Sequence, residues 1–584
     1  MISLLILVAL ALATTSYLLY QWALPKPIPG IPYDEHARRR IMGNLPDLVA
    51  MVRETGRARP FFSGHVRRHR SALTQVWLTP LGKPALILAD FRAAQDMLLR
   101  RSREFDKGAK ATTVFTTVVP DHHISMPTTD PRFKGNRDLV RDLMTPGFLH
   151  EVSAPEIYAK TQLLVELWTV KARLGGGRPF DAHKDLVDAS IDIINAAAFG
   201  LGDEQSTVKH QLDHLLSLSS SSSSFKINEK DGSITFPQLP QLPAIAAIEA
   251  VGKYLGEQFK APFAVLAHRV NMLRDARLRR NFRLKDEFLR NEIDKAVERL
   301  RRGESGLRSA MDFVLQREMN QAEKMGRTPV FHSPRIHDEL FGYIVAGHDT
   351  TSTALMWMVK TLADHPEAQH KLRASLCAAY PDPEEEGRQP TAVELWKVSV
   401  PYLDAVIEEC FRLHTPIPVT LREAMVDTQL LGIHIPKDTA VFIVAEGPSY
   451  TESPLPLPLP SPPHTSPSSS SSSYSVNEKR GNVQYGEWDT SDMHMFKPER
   501  WLKPDPEEGK EIFDPRSGPL LTFSLGPRMC FGKRLAYLET RIVLALLVWN
   551  FEFLAIQDPD LSSSDVEDSI TSYPRRCFVS LRKL

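Results

Sequence analysis

The chain opens on a long, mostly apolar run. Met1–Leu24, MISLLILVALALATTSYLLYQWAL, carries no charged side chain. At about 1.5 Å per helical residue, some 20 residues cross the roughly 30 Å hydrocarbon core of a bilayer. Tyr17, Tyr20 and Trp22 gather at one end of the run, where an aromatic belt lies in a membrane interface. A signal peptide is the rival reading, because Ala9-Leu10-Ala11 has the small residues of a cleavage site. Its basic residues should precede the apolar run, however, and here Lys26 and Arg38–Arg40 follow it. The pattern predicts a retained single-pass anchor, with the rest of the chain on the cytosolic side by the positive-inside rule.

Past the anchor, PKPIPGIP (25–32) places four prolines in eight residues, which predicts a stiff, extended hinge. Helical spacing then dominates. Leu186, Val187, Ile191, Ile193 and Ile194 recur near a 3.6 period across 181–199. The segment 274–302 interleaves acids and bases, as a helix with a solvated face does. A long apolar helix is predicted from Phe531 onward. Strand-like runs are few and short: ALILA (85–89), LLGIHIP (430–436) and TAVFIVA (439–445). The fold class is therefore mainly α with small β-sheets, an α+β arrangement. Ser219–Ser224 and the Pro/Ser-rich run 454–473 are too low in complexity to pack, although the Pro-Leu repeat could also serve as a ligand for a proline-binding domain. The predicted organisation is an anchor over 1–24, a hinge over 25–32 and one globular body over 33–584, with insertions near 219–224 and 451–480.

Charge narrows the partners. Lys plus Arg and Asp plus Glu both total 71, so nothing favours nucleic acid. Four scattered cysteines without a Cys-x-x-Cys pair fit neither a disulfide framework nor a zinc site, and no Asn-x-Ser/Thr acceptor points to a lumenal body.

One of those cysteines stands out. In LTFSLGPRMCFGKRLAYLE, Cys530 lies between Gly526 and Gly532, two residues after Arg528 and just before an apolar helix. A lone cysteine is usually inert core. Here the glycines permit close approaches, while the helix dipole and Arg528 should lower the thiol's pKa. A thiolate so placed could be a nucleophile or a metal ligand, and this segment offers no histidine base.

Phe523-x-x-Gly526-x-Arg528-x-Cys530-x-Gly532, with Ala536 and Glu539 following, resembles the haem-binding signature of the cytochromes P-450. The resemblance implies a haem b cofactor with Cys530 as the axial ligand of its iron, Arg528 against a haem propionate and Phe523 packed beside the ligand. Three further segments carry the likeness in order. Glu409-x-x-Arg412 shares one helix face amid apolar neighbours, so the pair would be buried and would need partners. FKPERW (496–501) supplies Arg500, and the resemblance makes Glu409, Arg412 and Arg500 a structural cluster. In FGYIVAGHDTTSTALMWMV, Ala346-Gly347-His348-Asp349-Thr350-Thr351 matches the family's central helix. Gly347 removes bulk beside a flat macrocycle, a Thr350 hydroxyl can bond the Ala346 carbonyl, and Asp349 with Thr350 forms an acid–alcohol pair able to relay protons. His348 is expected to line the pocket or pack. The fourth segment, DPRFKGNRDLV (130–140), aligns Arg137 with a propionate-binding arginine, but Phe133 replaces the usual tryptophan and has no N–H to offer. Arg422 in LREA is placed by the same likeness near the other propionate.

The implied activity is insertion of one oxygen atom from O2 into a lipophilic small molecule, with electrons from NADPH through a separate NADPH-cytochrome reductase. No strand-borne Gly-x-Gly-x-x-Gly marks a fused reductase. The expected location is the endoplasmic reticulum membrane with a cytosolic catalytic domain. A fungal type and a role in secondary-metabolite biosynthesis are further expectations. Segments expected to line the pocket are 107–128, 219–263, 345–351 and 419–421. A haem-thiolate isomerase or dehydratase is the alternative enzyme, and a haem sensor or carrier the alternative outside catalysis. The retained Asp349-Thr350 pair argues against the former.

Overall fold

The computed structural model describes residues 2–218, 225–261, 263–303, 306–458, 488–507 and 509–584. The six-serine run and residues 459–473 of the Pro/Ser-rich run lie outside those residues. The chain divides into two compact units.

The first unit comprises Met1–Ala111, Pro418–His494 and Leu525–Pro527. Its helix Ile2–Ala23 is uncharged throughout, and the span Leu4–Ala23 has a mean hydropathy of 1.8 with none of its surface buried. A five-stranded sheet forms the core of the unit in the order 73–76, 85–88, 440–444, 419–424, 105–106. Its neighbours pair antiparallel except for the parallel pair of 85–88 with 440–444, whose alternating apolar residues bury both faces. The hinge departs from expectation. Ile28 and Ile31 are buried, and Gln75 clasps the segment, its Oε1 accepting from the Ile28 N–H (2.8 Å) and its Nε2 donating to the Ile28 and Ile31 carbonyls (2.9 and 2.7 Å). Proline fixes φ but leaves carbonyls free, so a proline-rich segment can dock through its acceptors. Just beyond, Asp34 takes hydrogen bonds from Arg68 (2.9 Å) and His69 (3.1 Å). The run 430–436 is not one strand but the core of a hairpin, 428–430 against 433–435, with Leu431 and Gly432 both at positive φ.

The second unit comprises Thr112–Ile417, Met495–Ser524 and Arg528–Leu584, and is mostly helical. Its axis is the 31-residue helix Pro334–Asp364, started by Ser333, whose side chain accepts from Ile336 N–H. From Thr351 to Ala363 every side chain of that helix is buried, because other helices pack around it. His183–Phe199 is one of them, and its first turn is preceded by a strand, Phe180–Asp181, where helical spacing alone predicted more helix. The charged segment forms one helix, Ala276–Arg301, as predicted over 274–302, and Asp275 caps it by accepting from the Arg277 and Leu278 N–H groups. Lys533–Asn550 runs through the core as the second apolar helix, and a short hairpin, Val566–Asp568 with Ser572–Pro574, closes beside the central helix.

Candidate active site

Cys530 sits on a loop fixed at both ends. Its backbone N–H donates to the Phe523 carbonyl at 2.8 Å. Phe523 is buried between Phe411 (5.1 Å between ring centroids) and Tyr537 (5.0 Å), and the Thr522 hydroxyl donates to the Phe411 carbonyl at 2.8 Å. The helix after the loop begins at Lys533, not Phe531, so Cys530 stands two residues ahead of the cap position Gly532. Of the four free cysteines Cys530 alone is exposed, yet dense protein surrounds it, so the sulfur lines a recess and not the outer surface.

That recess changes the expected acidity. Desolvation pushes the Cys530 thiol up, and the Gly532 N–H, Lys533 and Arg137 pull only partly the other way. A helix start does not make this sulfur a thiolate unaided; binding a cation would, since a coordinating thiol is deprotonated outright. Both glycine readings are sharpened too. Gly526 has φ +70°, and a Cβ there would lie 2.0 Å from the Leu98 carbonyl oxygen. Its clearance serves backbone packing. A Cβ on Gly347 would lie 2.6 Å from Ile194, so that glycine lets two helices close instead of baring a surface to a macrocycle.

Arginines converge beside the cysteine. The Arg528 guanidinium lies 4.4 Å above the Phe133 ring, and Arg137 lies 5.9 Å from Phe133 and 5.5 Å from Phe531. Two cations on one pair of rings favour an anion between them. Arg422 belongs to the first unit, where it is buried in strand 419–424 and donates to the Leu421 carbonyl at 3.0 Å. Burial pushes its pKa down to about 10 against the pull of Asp106.

The Glu409–Arg412–Arg500 cluster forms as expected. Arg412 grips Glu409 with two bonds, Nε to Oε2 at 2.8 Å and Nη2 to Oε1 at 2.7 Å, and Arg500 Nε stands 3.5 Å from Oε1. Trp501, which the motif did not single out, donates Nε1 to Glu409 Oε2 at 2.8 Å, and the Lys497 N–H donates to Oε1 at 3.1 Å. The buried carboxylate is thereby saturated with donors.

On the central helix, Thr350 Oγ1 donates to the Ala346 carbonyl at 2.8 Å, as the sequence predicted, and Ala346 is exposed. Asp349 lies on another face. Its Oδ2 accepts from Thr571 Oγ1 at 3.2 Å, and the carboxyl borders a polar cavity of about 230 Å³ shared with His183, Glu249, Lys253, His348 and Tyr573. Burial raises the Asp349 pKa, with His348 and Thr571 opposing. His348 both packs and lines: its Nδ1 donates to the Ile344 carbonyl at 2.9 Å while the ring borders the cavity. Thr571 and the Glu249–Lys253 pair lay outside any motif, because the fold brings them from helix 243–259 and the C-terminal hairpin.

Compared with known proteins, the chain matches the family model described as Cytochrome P450 over residues 48–451 and 487–579. The unmatched gap coincides with most of the long insertion. It is 34% identical over 587 residues to "Cytochrome P450 monooxygenase TRI13" of Fusarium sporotrichioides, covering 97% of both chains. It is 36% identical over 550 residues to "Cytochrome P450 monooxygenase xilC" of Penicillium rubens, covering 94% of this chain and 91% of that one. It is 38% identical over 315 residues to "Hps1-dma1 cluster cytochrome P450 monooxygenase cyp3.1" of Dothistroma septosporum, covering 51% of this chain and 96% of that one.

Proposed function

The chain belongs to the cytochrome P450 family and is a monooxygenase of fungal type, and from that premise we propose that Cys530 ligates the iron of a haem b which oxidises a lipophilic small molecule. The observation that carries the assignment is the accessible Cys530 sulfur in a protein-walled recess, on a loop tied by its own N–H to Phe523. The donor set fits this group: a soft sulfur for iron, and the guanidiniums of Arg137 and Arg528 on neighbouring rings for carboxylates.

When bound, the haem supplies the O2 and one-electron chemistry that no side chain can. The chain's own residues do the rest. Phe523 and Thr522 hold the ligand loop still, and the Glu409–Arg412–Arg500 cluster stiffens the scaffold behind it. Arg528 and Arg137 orient the cofactor through its carboxylates. Asp349 takes up protons at its carboxylate oxygens beside the polar cavity, and Thr350 presents its hydroxyl, held by the Ala346 carbonyl, on the neighbouring face of the same helix. Keeping both groups favours oxygenation over the isomerase or dehydratase reading, which needs no delivered protons of this kind.

Electrons reach this enzyme from NADPH through a separate NADPH-cytochrome reductase, and helix 2–23 anchors it in the endoplasmic reticulum membrane with its body in the cytosol. A relative whose name places it in a gene cluster, together with other fungal relatives, supports a role in secondary-metabolite biosynthesis. The dithionite-reduced CO spectrum tests the ligand. Wild type should show the thiolate-type Soret band and Cys530→Ala should lose it; a variant that keeps the band removes Cys530 as the ligand. NADPH-driven O2 uptake with reductase, dependent on a lipophilic substrate and yielding an oxygenated product, tests the reaction.

A further inference from the structure

Phe133 occupies a position where the family resemblance calls for a ring N–H, and a phenyl ring has none. Beside it lies a loop whose histidines no motif claimed. The loop 121–126 is fastened to the central helix by two adjacent carboxylates. Asp338 accepts from the Asp121 N–H at 2.7 Å, and Glu339, only 1% exposed, collects four donors. Its Oε1 accepts from the His123 N–H (2.7 Å) and Asn136 Nδ2 (2.9 Å), while Oε2 faces His123 Nδ1 (2.8 Å) and His122 Nε2 (3.4 Å). Gly342 makes room, because a Cβ there would sit 2.4 Å from the His122 ring.

Two histidines and a carboxylate this close invite a metal reading, which the tautomers exclude. His122 Nδ1 accepts from the Ile124 N–H at 2.9 Å, so in the neutral ring the proton sits on Nε2, which then donates to Glu339 and has no lone pair for an ion. The same logic fixes His123. Its Nδ1–H points at Glu339, so Nε2 is turned away from that carboxylate. The His123 ring stands edge-on to Phe133 (6.2 Å) and to Phe531 (6.0 Å), the residue next to Cys530. These are the two rings that carry Arg137 and Arg528. Glu339 behind Nδ1 and a second carboxylate in front of Nε2 would together hold the ring as an imidazolium, in which both nitrogens donate.

We propose that His123, positioned by Glu339, binds a haem carboxylate by donating from the Nε2–H of its imidazolium and so supplies from the neighbouring loop the contact that Phe133 cannot make. The inference rests on the haem–Cys530 reading above. His123→Asn keeps an N–H where Nδ1 was and removes the far nitrogen; Phe133→Trp restores a ring N–H at the family position. In purified, detergent-solubilised full-length holoenzyme, haem transfer to excess apomyoglobin should be about tenfold faster in His123→Asn, the scale of one lost hydrogen bond to a charged group, with the CO band unmoved. Adding Phe133→Trp to that variant should bring the rate back to near wild type. A His123→Asn rate equal to wild type overturns the proposal. So does an accelerated loss that Phe133→Trp leaves untouched, which would mean His123 only fastens its loop. Failure of the underlying reading looks different: wild type itself would then lack the thiolate band.

Discussion

At Cys530 the same surroundings that make the sulfur a good ligand make it a poor free thiolate, since desolvation outweighs Lys533 and Arg137. The sequence displayed the cysteine, its arginine and the following helix, but not the balance between them, because burial depends on chain segments far away. Thr350 was fully legible: a hydroxyl four residues after Ala346 has one local acceptor, and it takes it. Thr350→Val should therefore cut product formation by about 10² or more while NADPH oxidation continues, seen as a falling ratio of product to NADPH. Glu539 gives a pH prediction. Burial pushes its carboxyl up to about 8, and no partner is found for its Oε1 among the described residues. In the unfolded chain it titrates near 4.3, so below about 4 both states hold the proton and the group is silent. Between these values the unfolded state releases its proton first, so stability should fall by about 1.4 kcal/mol per pH unit and level off above the folded value. Glu539→Gln should flatten that fall, which urea titrations at a series of pH values from 5 to 9 will show.

Among the elements, those defined by their own residues were read well. The family likeness gave the central helix, apolar character gave Lys533–Asn550, and short apolar runs gave strands 85–88 and 440–444. Errors came at breaks. Phe180–Asp181 pairs as a strand where helical spacing runs on from 181, and Leu431-Gly432 turns a supposed strand into a hairpin. The Glu409 cluster is an element-scale device, joining helix 401–413 to the turn 498–501. Removing one partner of a buried, saturated ion pair strands the other. Arg412→Ala should thus cost about 3–5 kcal/mol and show as a lower Tm with poor haem loading. Trp501→Phe removes a single bond to a charged group and should cost about 1.5–3 kcal/mol in the same assay.

For the molecule as a whole, the apolar helix 2–23 and the body behind it make separable contributions. Deleting residues 2–23 should move the protein from the membrane pellet toward the salt-washed soluble fraction while leaving the reduced-CO band in place, because none of the span Leu4–Ala23 is buried. The deletion should leave the docked hinge intact, since Gln75 holds Ile28 and Ile31 from within the first unit.

By itself the sequence determined the chemistry-bearing residues whose partners are local: the cysteine turn, the Glu409-Arg412 pair, the Thr350–Ala346 bond and the uncharged first helix. Each rests on interactions a few residues long, which fixed spacing encodes. Tertiary structure alone decided what meets across distance: that Gly526 and Gly347 are bare for backbone and helix packing, that Asp349 opens onto a cavity built from three other elements, and that Glu339 carries His123 to the rings beside Cys530. Those contacts join segments up to about four hundred residues apart, and no local pattern records which segments folding will press together.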